Sequence, residues 1–195
     1  MPKRKTPAKP KATKPAGKSQ REIERKFLLK ALPKGFSKEP PIHITQYYVD
    51  QRGSRIRIRE SHKTKMVSTK SGQYESKKVF ANKQSKYDIT KKVRIRNGVY
   101  DETITWIDAK AYARLVPKAH KVISKMRYEM PCVMQGIKLK WEIDIFKAPL
   151  HLIIVEIEVP YEGFKIKLPK SIKDVLIMEV TNVKEMTNYA LAEKI

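Results

Sequence analysis

The sequence predicts a mainly β fold of the α+β class, and three observations carry that prediction. Charged and apolar residues alternate with a period of two in segment after segment, β-branched residues fill the alternate positions, and only two stretches carry the punctuation of helices. Successive side chains on a strand point to opposite faces, so Arg55, Arg57 and Arg59 of Arg-Ile-Arg-Ile-Arg share one face and their isoleucines the other. A helix would scatter the same residues around its axis. Lys92, Arg94 and Arg96 repeat the pattern, followed by Lys125 with Arg127, Glu142 with Asp144, and Glu179 with Thr181.

Taken in order, residues 1–20 hold seven Lys/Arg, four Pro and no acidic residue. Such a segment cannot bury apolar surface and is expected to be a disordered, partly polyproline-like basic tail. From residue 21 the signals turn to strands, expected at 21–29, 42–50, 54–60, 64–70, 75–80, 88–96, 99–106, 121–130, 138–146, 151–159 and 175–180. Asp108 caps an expected helix over 109–116 that Pro117 stops, and a second helix is expected over 183–194. Residues 60–87 are Lys/Ser-rich and carry the weakest pattern. The chain thus reads as a tail, 1–20, and one domain, 21–195. Between the charged positions sit Ile, Val, Met and Phe, which need a core on the opposite face. Two architectures satisfy this: a closed antiparallel barrel with a charged lumen, or an open sheet with one solvated charged face.

Two strands carry paired glutamates, Glu22 with Glu24 and Glu156 with Glu158. The second pair lies among β-branched residues, where bare carboxylates are costly. Holding a hard divalent cation, Mg²⁺ or Mn²⁺, would make four such carboxylates tolerable together; a half-exposed sheet would instead leave them to water. The net charge of +23, from 43 Lys+Arg against 20 Asp+Glu in 195 residues, favours polyanionic partners such as nucleotides, polyphosphate, nucleic acid or an acidic membrane face. Removing the tail still leaves +16 on the domain. The single Cys132 excludes an intrachain disulfide and suits a reducing, cytoplasmic setting. Neither a membrane-spanning apolar run nor a secretory leader is evident, so no membrane role is expected. His43, His62, His120 and His151 lack metal-ligand spacing, and no Gly-rich phosphate loop of the Walker or Rossmann kind occurs.

The motifs together resemble one family. Glu22-Ile23-Glu24-Arg25-Lys26-Phe27-Leu28 is similar to the ExExK signature of the CYTH proteins, also called triphosphate tunnel metalloenzymes. Ile44-Thr45-Gln46-Tyr47-Tyr48-Val49, Arg57-Ile58-Arg59, Lys125-Met126-Arg127-Tyr128, Trp141-Glu142-Ile143-Asp144-Ile145-Phe146, Glu156-Ile157-Glu158-Val159 and Glu179-Val180-Thr181 with Asn188, Leu191 and Ala192 resemble later motifs in the family's order. The match departs in the middle. Lys92 and Lys70 compete for one lysine position, Glu102 alone fits the next strand, Tyr47 replaces a glycine and Met186 a tyrosine.

The resemblance implies an eight-stranded antiparallel tunnel with flanking helices and a metal-dependent triphosphatase, most simply inorganic tripolyphosphatase. RNA 5′-triphosphate, nucleoside or thiamine triphosphate hydrolysis, an adenylyl cyclase of the same family, and a noncatalytic polyanion- or nucleic-acid-binding module are the alternatives. It implies metal ligation by Glu22, Glu24, Glu156 and Glu158, with Glu142 and Asp144 as further ligands. Lys26, Arg57, Arg59, Lys92, Arg94, Lys125 and Arg127 would hold phosphates, and Lys125 with Tyr48 would assist proton transfer. RNA or another polyanion is a candidate partner of the tail, and the domain is expected to act as a monomer or homodimer.

Overall fold

Alternation of polar and apolar residues puts most of the chain into antiparallel strands, as the computed structural model shows for residues 18–35, 40–51, 54–63, 65–68, 74–77, 85–147 and 150–195. In chain order these are β1 (Lys18–Leu29), β2 (Ile42–Gln51), β3 (Ser54–Lys63), β4 (Lys65–Ser68), β5 (Tyr74–Lys77), β6 (Lys86–Arg96), β7 (Val99–Ile107), β8 (Lys121–Met134), β9 (Ile137–Phe146), β10 (Ile153–Glu158), β11 (Leu176–Glu179) and β12 (Glu193–Lys194). Helix α1 (Ala109–Leu115) follows β7, α2 (Lys170–Lys173) precedes β11, and α3 (Asn188–Leu191) precedes β12.

Eight strands pair in a ring, in the order β10-β9-β8-β2-β3-β6-β7-β1, and the ring closes because β1 also pairs with β10. All these pairings are antiparallel. The N-terminal half of β1 pairs with β7, and its C-terminal half pairs with β11 instead. β4 and β5 form a separate two-stranded hairpin. The register aligns one parity of residues around the circle: Glu24 opposite Glu158, Glu156 opposite Glu142, Asp144 opposite Arg127, Arg57 opposite Thr90, and Lys92 opposite Glu102. The charged positions therefore share the inner face, and the apolar positions look outward.

The outer face of β1, β9 and β10 is sealed by the segment after β10. Phe27, Trp141, Ile143, Val155 and Ile157 pack under Phe164 and Ile172 in one apolar cluster. A second cluster closes one mouth of the ring. Tyr48, Ile123, Phe146 and Ile154 meet Ala192, with Leu28, Met186, Tyr189 and Leu191 packed around them.

Two expectations change. β1 begins at Lys18, inside the segment read as tail, because Lys18–Gln20 find partners in Ile104–Glu102 of β7. Residues 1–17 and Lys70 lie outside the described residues. The long helix expected over 183–194 is absent. A 3₁₀ turn (Lys184–Met186) and the single turn of α3 stand there, with Thr187 capping Ala190. The backbone then extends at Ala192 so that Glu193 and Lys194 pair with Val122 and Lys121 of β8. Tertiary pairing overrides helix propensity in this segment. The expected helix after Asp108 does form: the Asp108 carboxylate accepts from Ala111 N at 2.7 Å, and a 3₁₀ turn through Pro117 ends it.

Candidate functional site

The strands of the ring deliver cations and carboxylates to one continuous inner surface. Lys26 of β1 reaches Glu156 of β10 at 2.9 Å and Glu24 at 3.4 Å. Lys92 of β6 reaches Glu22 at 2.7 Å and Glu24 at 3.2 Å. Arg127 of β8 holds both oxygens of Asp144, at 2.7 and 2.6 Å, while also donating to Glu156 at 2.9 Å and to Glu142. On the far side of the ring Arg59 donates to Asp88 at 2.7 Å, and Arg57 to Thr90 at 2.9 Å and Glu102 at 3.4 Å.

Glu22, Glu24, Lys26, Arg57, Arg59, Lys92, Arg127, Glu142, Glu156 and Glu158 all line a single cavity of about 210 Å³. Ten of the fourteen residues named from the sequence thus converge on one place. A cavity of about 420 Å³ adjoins it on the side of the C-terminal segment and is shared by Glu24, Lys26, Arg57, Lys92 and Asn188. On the opposite side a cavity of about 650 Å³ shares Arg59, Arg127, Lys140 and Glu142.

The other four stand differently. Asp144 is wholly buried, its oxygens engaged by Arg127 and by Lys125 at 2.5 Å. Lys125, also wholly buried, approaches Asn188 Oδ1 at 3.4 Å. Tyr48 lines the 420 Å³ cavity, but its hydroxyl donates to Gln46 at 3.4 Å. The register sets Tyr48 opposite Lys121 and Lys125 opposite Ile44, so the Lys125–Tyr48 pair is not a cross-strand pair. Arg94 is exposed at the mouth of the 420 Å³ cavity and donates to Asn97.

Burial and crowding set the protonation of these groups. Burial pushes Glu22 up to about 7; Lys92 offsets part of this, while Glu24 and Glu102 add to it. Glu158, at the rim, is raised by desolvation and by Glu142 and Glu102. Burial would raise Glu156 too, but Lys26, Lys125 and Arg127 outweigh it and hold this carboxyl well below the usual range. Burial likewise opposes the charge on Lys26, yet Glu156 and Glu24 together raise it. Lys125 is lowered, by burial first and by Arg127, against the pull of Asp144. Burial lifts Tyr48 to about 12 despite Arg57 and Lys26.

Among the described residues no three His, Cys, Asp or Glu side chains stand close enough to hold a metal ion. Lys26 and Lys92 lie between the glutamates instead. Gly98 braces this wall from behind. Its carbonyl accepts from Glu24 N at 2.9 Å, its φ is +70°, and a Cβ there would meet Glu24 O and Thr181 Cγ2 at 3.1 Å.

Several inner-face residues were not singled out by sequence. Asp88 and Thr90 are buried and bonded to each other at 2.9 Å, in phase with Lys92, so the period-two rule alone contains them. Gln46 and Asn188 sat within the matched motifs without an assigned role. Lys140, which reaches Glu142 at 2.6 Å, carried no signal beyond its alternation.

No family model matches the chain, and no curated protein matches it. Among solved structures it is similar to the PH1819 protein from Pyrococcus horikoshii OT3, at 17% identity over 78% of this chain and 82% of that one, with a TM-score of 0.47. That likeness carries no argument about activity. No helix among the described residues is long and apolar enough to cross a membrane.

Proposed function

We propose that the ring is a tunnel-like barrel of the CYTH type and that the chain is a metal-dependent triphosphatase, with inorganic tripolyphosphate as its simplest substrate. One observation carries the reading: four glutamates from β1 and β10 and six or more Lys and Arg side chains are gathered around one small cavity rather than dispersed over a solvated face. Guanidinium and ammonium groups grip phosphate oxygens with charge-assisted hydrogen bonds, and a linear triphosphate is dense enough in charge to engage opposed walls at once.

Carboxylate oxygens are the donors that Mg²⁺ and Mn²⁺ take. The raised pKa values of Glu22 and Glu158 mark carboxyls whose charge nearby cations do not fully compensate, which suits a divalent ion. In this reading Glu22, Glu24, Glu156 and Glu158, with Glu142 as a further ligand, would hold the metal once Lys26 and Lys92 turn from the glutamates towards phosphate oxygens. Bound metal supplies charge neutralisation and polarisation of the phosphoryl group. Arg57, Arg59 and Arg127 bind and orient the chain of phosphates. Asp144 fixes the direction of Lys125 and Arg127. Lys125, wholly buried behind Asn188 and outside the cavity lining, has a lowered pKa through burial, which is the property a proton-transfer role would use.

The test is phosphate release from tripolyphosphate, ATP, thiamine triphosphate and 5′-triphosphate RNA with Mg²⁺ or Mn²⁺, alongside Glu24→Ala and Glu158→Ala. Turnover of one substrate that both changes abolish supports the reading; no metal-dependent turnover by the folded protein ends it. A noncatalytic polyanion-binding module is the second reading, favoured by the ion pairing of Glu22, Glu24 and Glu156. It predicts salt-dependent binding that Glu24→Ala does not weaken.

A further inference from the structure

The cation row of β3 does not stop at the small cavity. At about 3.4 Å per residue, Arg55 lies about 7 Å beyond Arg57 and about 14 Å beyond Arg59 along the strand. Arg55, Arg94 and Lys184 line the 420 Å³ cavity at the C-terminal mouth, and all three are exposed. Their pairing differs from that of the inner cations. Inside, Arg59, Arg57 and Lys92 each face a carboxylate within 3.4 Å. At the mouth, none of the three makes an ion pair with a carboxylate among the described residues. Arg55 has Asp50 as its register partner, yet its guanidinium lies over the Tyr189 ring at 3.2 Å, and Arg94 turns to Asn97.

The aromatic rings of the mouth are already in use. Tyr189 carries Arg55 and also Lys121, at 4.4 Å; Tyr100 carries Lys92 at 4.2 Å; Tyr48 packs edge-on to Tyr189. A nucleobase needs a free π face to stack on, whereas a further phosphate needs only cations without a carboxylate partner. We infer that the C-terminal mouth is a second phosphate subsite, in which Arg55, Arg94 and Lys184 receive the continuing chain of a linear polyphosphate whose end occupies the small cavity. The inference rests on the triphosphatase reading and extends its substrate class from a triphosphate to longer inorganic chains.

The experiment is equilibrium binding by the full chain, without divalent metal so that nothing turns over, at one fixed ionic strength. The probes are tripolyphosphate, a long-chain linear polyphosphate and a 5′-triphosphate RNA oligonucleotide. The mouth variant is Arg55→Gln/Lys184→Gln; the control, Lys167→Gln/Lys173→Gln, removes equal charge from exposed positions on the outer cover. Thermal melts confirm folding, and Lys184→Gln alone, at an exposed side chain, serves if the double variant unfolds. Long-chain polyphosphate should bind the native chain about tenfold more tightly than tripolyphosphate, the increment of one or two charge-assisted contacts. The mouth variant should lose that preference while keeping tripolyphosphate, and the control should keep both. Equal losses in the mouth and control variants would reduce the effect to net charge and overturn the inference. So would a loss confined to RNA, which would make the mouth a nucleic-acid site. If long and short chains bind alike, or neither binds, the inference fails, while the triphosphatase reading stands or falls on metal-dependent turnover alone.

Discussion

The two walls of the ring are built to different standards. In the wall of β8, β9, β10 and β1, Trp141, Ile143, Val155 and Ile157 have no exposed surface behind the ions, and Lys125 and Asp144 are themselves wholly buried. Arg127 there satisfies three carboxylates at once. In the wall of β2, β3, β6 and β7 the backing is thinner. Val93 and Ile95 on the outer side of β6 are 47% and 44% exposed, and the inner arginines Arg57 and Arg59 have one carboxylate partner each. A buried ion must be paired, so the sealed wall is where networks are complete. The thin wall leaves cations available to a ligand. Backing, rather than charge count, separates the fixed wall from the receptive one.

Breaking the sealed wall should have the largest effect. Asp144→Ala strands Lys125 and Arg127 without their shared partner, and about 3–5 kcal/mol of stability should be lost in urea unfolding. Asp88→Ala, its counterpart in the thin wall, strands one cation, Arg59, which is 20% exposed, and frees the Thr90 hydroxyl; it should cost about 1–3 kcal/mol. Equal costs would erase the distinction between the walls.

Glu22 lies at the seam between them and sharpens the comparison through pH. Its folded-state pKa of about 7 exceeds the unfolded value of 4.5, so the native state binds the extra proton in that window. Stability is therefore greatest at the acid side and falls as pH rises from 4.5 to about 7, by up to about 3 kcal/mol from this group. Glu22→Gln should flatten that slope, and urea titrations across the window measure it.

Gly98→Ala forces a side chain into a left-handed backbone position and against Glu24 O, so about 1–2 kcal/mol should be lost. The readout that matters is a displaced Glu24, visible as weaker Mn²⁺ binding. Smallest of all is Lys140→Ala, which breaks the pairs of a half-exposed lysine with Glu129 and Glu142 at the rim; stability should change by less than about 1 kcal/mol.

Much of this was legible because strands sort residues by parity. Expected and observed strands differ mainly at their ends, and the parity rule grouped Glu156 with Glu158, Lys92 with Arg94 and Lys125 with Arg127, each set on one face of its own strand. Closure of the ring was one of two open choices, since alternation is equally consistent with an open sheet. What decided it was the pairing of β1 with β10, a long-range fact that no local pattern encodes. The C-terminal helix was misread for the same reason. Its residues favour a helix locally, but Glu193 and Lys194 are drawn into β8 and the apolar side chains into the mouth. Asp144 shows the limit for site residues: alternation puts it among the carboxylates, but only packing reveals that Arg127 and Lys125 already take both of its oxygens.

The strand that closes the ring also carries Glu22, Glu24 and Lys26, and its partner β10 lies near the other end of the chain. Closing so long a loop is entropically expensive, and folds dominated by such contacts form slowly. During synthesis Lys26 and Arg127 therefore emerge before Glu156 of β10, the partner they share. Completion of β10 thus closes the ring and delivers that shared partner in a single late event.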